Sequence, residues 1–291
     1  MFCAGTGAAL VAFQHSRGLR VSDECDEVTW RALVEATWKL GDRLLVLTSP
    51  NLRGDDVVDL QSRLARLGFD SGRIDGIFGP LTAKALADFQ SNLGLTDDGV
   101  CGHDTIRMLE RVMGQTGHGP GVSAVRERER LRQTPLDLAS LRIAVGQFGG
   151  LGAIMRSISR DLRARGAHVL ALDEPDPIIQ ARTANKFGAN VFIGLEAAAG
   201  EATVVHYYRV PTFESVGGHT LADSLTTELR TAGIAVDTPA GVRIPVLRET
   251  KMPAVLCVVA PVRAAVDAAA AIGPATAHAL EQWLSVWTLT R

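Results

Sequence analysis

Residues 54–109 read GDDVVDLQSRLARLGFDSGRIDGIFGPLTAKALADFQSNLGLTDDGVCGHDTIRML, and the rest of the chain is organised around them. Val57, Leu60, Leu64 and Leu67 recur three and four apart, the spacing of one apolar helix face. Asp55 and Asp56 lie where a helix N-terminus favours negative charge, and Gly68 suits its C-terminal end. Asp75-Gly76-Ile77-Phe78-Gly79-Pro80 is a turn whose glycines take backbone angles that other residues resist. A second amphipathic run places Leu81, Ala85, Leu86 and Phe89 inward. Asp98-Gly99-Val100-Cys101-Gly102 repeats the turn chemistry, and Thr105, Ile106 and Leu109 begin a third short helix. The pattern predicts one compact bundle of three short helices pinned by two Asp-Gly turns.

The residues Gly54, Val57, Leu60-Gln61, Asp75-Gly76, Phe78-Gly79, Thr82, Phe89-Gln90, Gly94-Leu95, Asp98-Gly99, Gly102 and Thr105 stand at fixed offsets. Together they resemble the small peptidoglycan-binding domain of bacterial cell-wall enzymes. The resemblance implies a module that binds cell-wall glycopeptide and does no chemistry. It implies Asp75, Gly76, Phe78, Gln90, Asp98 and Gly99 as ligand-binding residues. Most of these glycines and apolar positions are also what folding alone requires.

Residues 1–45 look like half of the same module. Phe13-Gln14 and Gly18-Leu19 match Phe89-Gln90 and Gly94-Leu95, and the same offset pairs Phe2 with Phe78, Thr6 with Thr82, Cys25 with Cys101 and Thr29 with Thr105. Nothing corresponds to the first helix, and Asp23-Glu24-Cys25-Asp26 replaces the second glycine turn. Helices are expected near 5–17 and 27–39, with an apolar face that needs cover from the second module. The missing helix implies a misplaced start or a fragment. Residues 41–53 are expected to link the repeats, 114–121 to form a glycine-rich linker, and Arg126–Arg132 to be a solvated helical face or tether. The expected domains are 1–45, 46–114, a linker at 115–139, and 140–291.

With 291 residues, 46% of them apolar, the chain can hold two or three folded domains. A formal net charge of −2 gives no sign of a nucleic-acid or acidic-lipid partner. The longest apolar runs are too short to span a bilayer, and the opening residues lack a basic stretch, an apolar core and a cleavage site. The expectation is a cytoplasmic protein without a membrane span. Cys3, Cys25, Cys101 and Cys257 form no CxxC pair, which predicts free thiols.

From Leu141 strands alternate with helices. Strands are expected at 141–145, 167–172, 190–195, 203–208 and 254–260, with an extended piece at 242–247. Helices are expected at 154–162, 177–187 and 214–231, and at 262–289 with a break at Gly273-Pro274. This order predicts a mostly parallel sheet flanked by helices, so the whole is multidomain: small all-α bundles plus an α/β domain.

This C-terminal part is similar to the zinc-dependent N-acetylmuramoyl-L-alanine amidases with a single α/β catalytic domain. Ala184-Asn185, Phe192-Ile193, Tyr207-Tyr208 and the run Val246–Leu256 carry the resemblance. It implies a zinc ion held by two imidazoles and a carboxylate, and a glutamate as general base. Gln147 stands where the first histidine is expected. No Asp or Glu occurs between Gln147 and Ser159, where the carboxylate ligand belongs. Glu196 takes the second histidine position and Val258 the general base. The expectation is a degenerate site with no catalytic residue, no metal ligand and no cofactor.

Other candidates are few. Gly117-His118-Gly119 mimics the ligand turn without a strand before it. His15, His103, His168, His206, His219 and His278 show no paired metal spacing. Glu196 and Glu249 could form a metal-free acid–base pair. Gly149-Gly150-Leu151-Gly152 lacks the full dinucleotide spacing, although Asp173 is near. The domain order resembles actinobacterial cell-wall proteins of the CwlM type, which implies a non-catalytic binding or regulatory protein. Its partners would be peptidoglycan or its precursors and cell-wall-synthesis proteins. The alternatives are a working amidase, cleaving the lactyl–L-Ala bond with an atypical site, and a wall-binding module that uses the α/β domain as a spacer.

Overall fold

The computed structural model describes residues 4–22, 24–113, 122–210 and 213–288, so Cys3, Asp23, His118 and the glycine-rich linker fall outside it. The chain divides into two compact units, one running to Arg126 and also taking in Val210 and Phe213, the other holding the rest from Glu127 onward.

The helical unit contains α1 (Ala4–Arg17), α2 (Glu27–Thr37), α3 (Asp55–Arg66), α4 (Pro80–Asn92) and α5 (His103–Met113). Val57, Leu60 and Leu64 of α3 are buried with Ala85, Leu86 and Phe89 of α4 and Leu109 of α5. Each of the valine, leucine and phenylalanine side chains stabilises the fold by about 1.5–3 kcal/mol. Two expectations need correction. Residues 41–53 are not a mere link. Leu45 is fully buried and pairs with Cys101, while Arg53 bridges Ile77. Strand-like pairing to the two turns makes this segment part of the module. Leu81 does not face inward. As the second residue of α4 it is 48% exposed and covers Gly72.

What fixes the turns is a buried carboxamide. Gln61 Oε1 accepts from the N–H of Asp75 at 3.0 Å and of Gly76 at 2.8 Å. Its Nε2 faces Asp75 Oδ1, the Ile77 carbonyl and Thr82 Oγ1 at 3.0–3.1 Å. Gln90 repeats the arrangement with Gly99 N, Asp98 Oδ1, the Val100 carbonyl and Thr105 Oγ1. Gln14 does the same with Ser22, the Glu24 carbonyl and Thr29. A neutral amide offers two donors and an acceptor oxygen, so it can be buried with its bonds made. Gly76 and Gly99 sit at φ 72° and 66°, where a Cβ is strained. Arg17 of α1 grips Asp55 of α3 through two hydrogen bonds, of 3.0 and 2.6 Å, while Val28, Trp30 and Val34 of α2 stay exposed.

The α/β unit begins within α6 (Val122–Gln133). It continues with β1 (Arg142–Gln147), α7 (Gly152–Ala164), β2 (His168–Asp173), α8 (Pro177–Phe187) and β3 (Val191–Ala197). Then follow β4 (Val204–Val210), β5 (Phe213–Glu214), α9 (Val216–Thr231), β6 (Ala240–Val242), α10 (Pro245–Glu249), β7 (Ala254–Val259), α11 (Val262–Asp267) and α12 (Ala269–Thr288). The strand order is β2-β1-β3-β7-β4-β5, with β6 beside β4. β1, β2, β3 and β7 pair in parallel, and β4 runs antiparallel to β7, so the sheet is mixed. No described helix is long and apolar enough to cross a membrane.

Three further corrections belong here. Residues 242–247 are not extended throughout, because Pro245 opens α10 as its first residue. The helix break falls at Ala268 rather than at Gly273-Pro274, and Pro274 lies inside α12. Gly273 lets α12 close on α7: a Cβ there would stand 2.0 Å from Asp161 Oδ2 and 3.0 Å from the Ser157 carbonyl. Burial of Ala277, Leu280 and Trp283 offsets the proline cost of about 3 kcal/mol. The charged run is also more than a solvated face. Glu127 accepts from Ser215 Oγ at 2.6 Å and Val216 N at 3.2 Å at the start of α9, and Leu131 is buried beside Gly217.

Replacing Gln61 by alanine strips the first turn of its donors and acceptor together. Urea unfolding of the full chain should show the helical unit destabilised by about 2–4 kcal/mol. Replacing exposed Lys84 should change it by under about 0.5 kcal/mol.

Candidate functional site

In open α/β sheets, ligands bind beyond the carboxyl ends of the strands, where the strand order reverses. Here that point lies between β1 and β3, since β2 and β3 flank β1 on opposite sides. Gln147 ends β1 and pairs with Leu195 of β3 and Asp173 of β2. Glu196 of β3 pairs with Val258 of β7. The three positions singled out in the sequence therefore share one end of three neighbouring strands.

Their chemistry is not that of a metal centre. Gln147 is 5% exposed, and its Oε1 accepts from Gly149 N at 2.8 Å and Leu151 N at 3.2 Å. Its Nε2 donates to Asp173 Oδ1. The side chain shapes the turn through Gly149 and Gly150, which have φ 124° and 74°. Glu196 and Val258 are half-buried. Zinc needs three protein donors of nitrogen, sulfur or carboxylate type. Of the three expected ligand positions, one is a carboxamide whose oxygen is committed to two backbone amides and one falls in a β1–α7 turn without a carboxylate, so Glu196 alone does not meet that need. Among the described residues no three of His, Cys, Asp or Glu gather as a metal-holding group. The residues present do not fit zinc.

Glu249 ends α10 and is half-buried. Its carbonyl accepts from Asn185 Nδ2 at 2.8 Å, and Asn185 Oδ1 accepts from Lys251 N at 2.9 Å. Asn185 thus clasps α8 to the turn after α10.

The histidines are dispersed. His15, His103 and His168 are exposed. His206 on β4 lies near the Ala240 carbonyl at 3.4 Å, and burial lowers its pKa. His219 stacks on Tyr207 with ring centroids 4.4 Å apart. Its Nδ1 lies 2.5 Å from Glu214 and its Nε2 3.5 Å from Asp223. Burial and the Glu214 carboxylate raise the Tyr207 pKa. His278 lies 3.9 Å from Glu228. Cys25, Cys101 and Cys257 are free thiols, and burial pushes Cys101 and Cys257 up to about 12.

In the helical unit, Asp75, Gly76, Asp98 and Gly99 build the two turns. Phe78 is fully buried and Gln90 is 2% exposed, with its amide engaged. Phe78 packs in the core of the helical unit, and Gln90 fixes the second turn. Of these six residues Asp98 is exposed and Asp75 half-buried.

Residues 53–109 match the family described as "Putative peptidoglycan binding domain". N-acetylmuramoyl-L-alanine amidase CwlM of Mycobacterium tuberculosis is 33% identical over 88% of this chain and 70% of its own length. The chain belongs to the CwlM family. A spore cortex-lytic enzyme of Bacillus cereus is 50% identical over 56 residues, 19% of this chain and 22% of the enzyme. N-acetylmuramoyl-L-alanine amidase AmiC2 of Nostoc punctiforme aligns with 49% of this chain and 97% of its own, at 16% identity and a TM-score of 0.41. In this CwlM relative, the residues that matter at the strand ends include two that the sequence did not flag for that role. Asp173 and Gln180 bond to Gln147, and neither carries a local signature, since their partner lies 26 and 33 residues away.

Because burial lowers the His206 pKa, the unfolded chain binds the proton more readily. Its contribution is complete above about 6.5 and is lost as pH falls below that value. Stability measured from pH 7 to pH 5 should fall less steeply in His206→Gln than in the parent chain.

Proposed function

We propose that this CwlM relative is a non-catalytic peptidoglycan-binding or cell-wall-synthesis regulatory protein whose α/β domain keeps an amidase scaffold without its chemistry. One observation carries this reading: the side chain at the expected first zinc position, Gln147, spends its amide on Gly149, Leu151 and Asp173. Val258 at the expected base position supports it further, since an alkyl side chain transfers no proton. On this reading the helical unit contacts peptidoglycan or its precursors, and residues 1–45 serve as an incomplete second repeat. The α/β domain then offers a folded surface to proteins of cell-wall synthesis.

The amidase name of the 33%-identical relative favours a second reading, hydrolysis of the lactyl–L-Ala bond by an atypical site. Incubation of the full chain with purified sacculi and added Zn²⁺ separates the two. No release of stem peptides above a buffer control is expected. Time-dependent release that is lost in Glu196→Gln would establish the hydrolase instead.

A further inference from the structure

The carboxyl end of β1 is held from two directions. On one side the Gln147 side chain collects the Gly149 and Leu151 amides and reaches Asp173 at the end of β2. On the other, Gln180 of α8 donates to the Gln147 carbonyl at 2.8 Å and to the Glu174 carbonyl at 2.5 Å. Gln180 is fully buried. It reaches the strand only because residue 146 is glycine: a Cβ there would lie 1.8 Å from Gln180 Oε1. Two buried neutral amides thus join the ends of β1 and β2, the β1–α7 turn and α8.

We propose that Gln147 and Gln180 form a metal-independent lock on this end of the sheet, and that the lock sets the shape of the surface at the β1–β3 crevice. The proposal rests on the reading that position 147 holds no metal, and it goes further by assigning the position a new task. The arrangement matches the clasp of the helical unit. At Gln61, as at Gln147, the oxygen takes two backbone amides of a glycine turn and the nitrogen takes an aspartate. Asp173 is the informative member. It is exposed on the strand end, so its loss would ordinarily cost little. Within the lock it accepts from a side chain that is 95% buried, and removing it leaves that donor unsatisfied. An imidazole at position 147 would have to abandon the Gly149 and Leu151 amides to face a metal, so Gln147→His alone restores no site.

The test is calorimetry of the full chain with and without Zn²⁺, together with metal analysis after gel filtration. Asp173→Ala should lower the α/β transition by about 3–8 °C. Gln147→Glu should lower it comparably, because a second carboxylate then faces Asp173. Adding Asp173→Asn to Gln147→Glu should recover most of the loss, since the exchanged amide can donate to the new carboxylate. Neither the parent chain nor Gln147→His should retain Zn²⁺ or gain stability from it. An unchanged transition in Asp173→Ala, or no recovery in the exchanged pair, would overturn the lock. Stoichiometric Zn²⁺ in the parent chain would overturn its metal independence. These readouts are separate from stem-peptide release, so the lock and the non-catalytic reading can fail independently.

Discussion

A glutamine side chain that saturates the amides of a glycine turn is the interaction on which this structure depends. Burying an isolated charge carries a large desolvation cost, and leaving a buried backbone N–H unpaired costs about 1–3 kcal/mol. A carboxamide avoids both, being neutral and able to donate and accept at once. Gln61 and Gln90 use this property to fix the two Asp-Gly turns between short helices that would be marginal alone. Gln147 uses it at the end of a strand, in a different fold.

The consequence for the α/β unit is chemical. The parallel strands bring Gln147, Glu196 and Val258 to one crevice, the place where such sheets act. A scaffold that concentrates functional groups there is preserved, while the groups themselves are an engaged amide, a half-buried carboxylate and an alkyl chain. The helical unit carries the match to the peptidoglycan-binding family.

Much of the fold was legible in the sequence because its determinants are local. The apolar spacing of Val57, Leu60 and Leu64, the Asp-Gly turns and the apolar run 254–259 each report on residues within one element. The misreadings arose where tertiary contact decides. Gly273-Pro274 looks like a helix break until α7 is seen to press against Gly273. Leu45 looks like linker until it pairs with Cys101. Pro245 is different, since proline at the first helical position was a local signal read as extended chain. At the candidate site the family resemblance pointed to Gln147, Glu196 and Val258, which share one end of neighbouring strands, and their hydrogen-bond partners were not legible. A glutamine in sequence gives no sign that its partners are Asp173, across the strand pair, and the two amides of the following turn.

Amide hydrogen exchange, resolved by residue, tests the account most directly. If buried carboxamides hold the turns, Gly76, Gly99, Gly149 and Leu151 should exchange nearly as slowly as core strand amides such as Ile193, while Gly150 between them exchanges fast. Rapid exchange at Gly76, Gly99, Gly149 and Leu151, at the rate of Gly150, would contradict it.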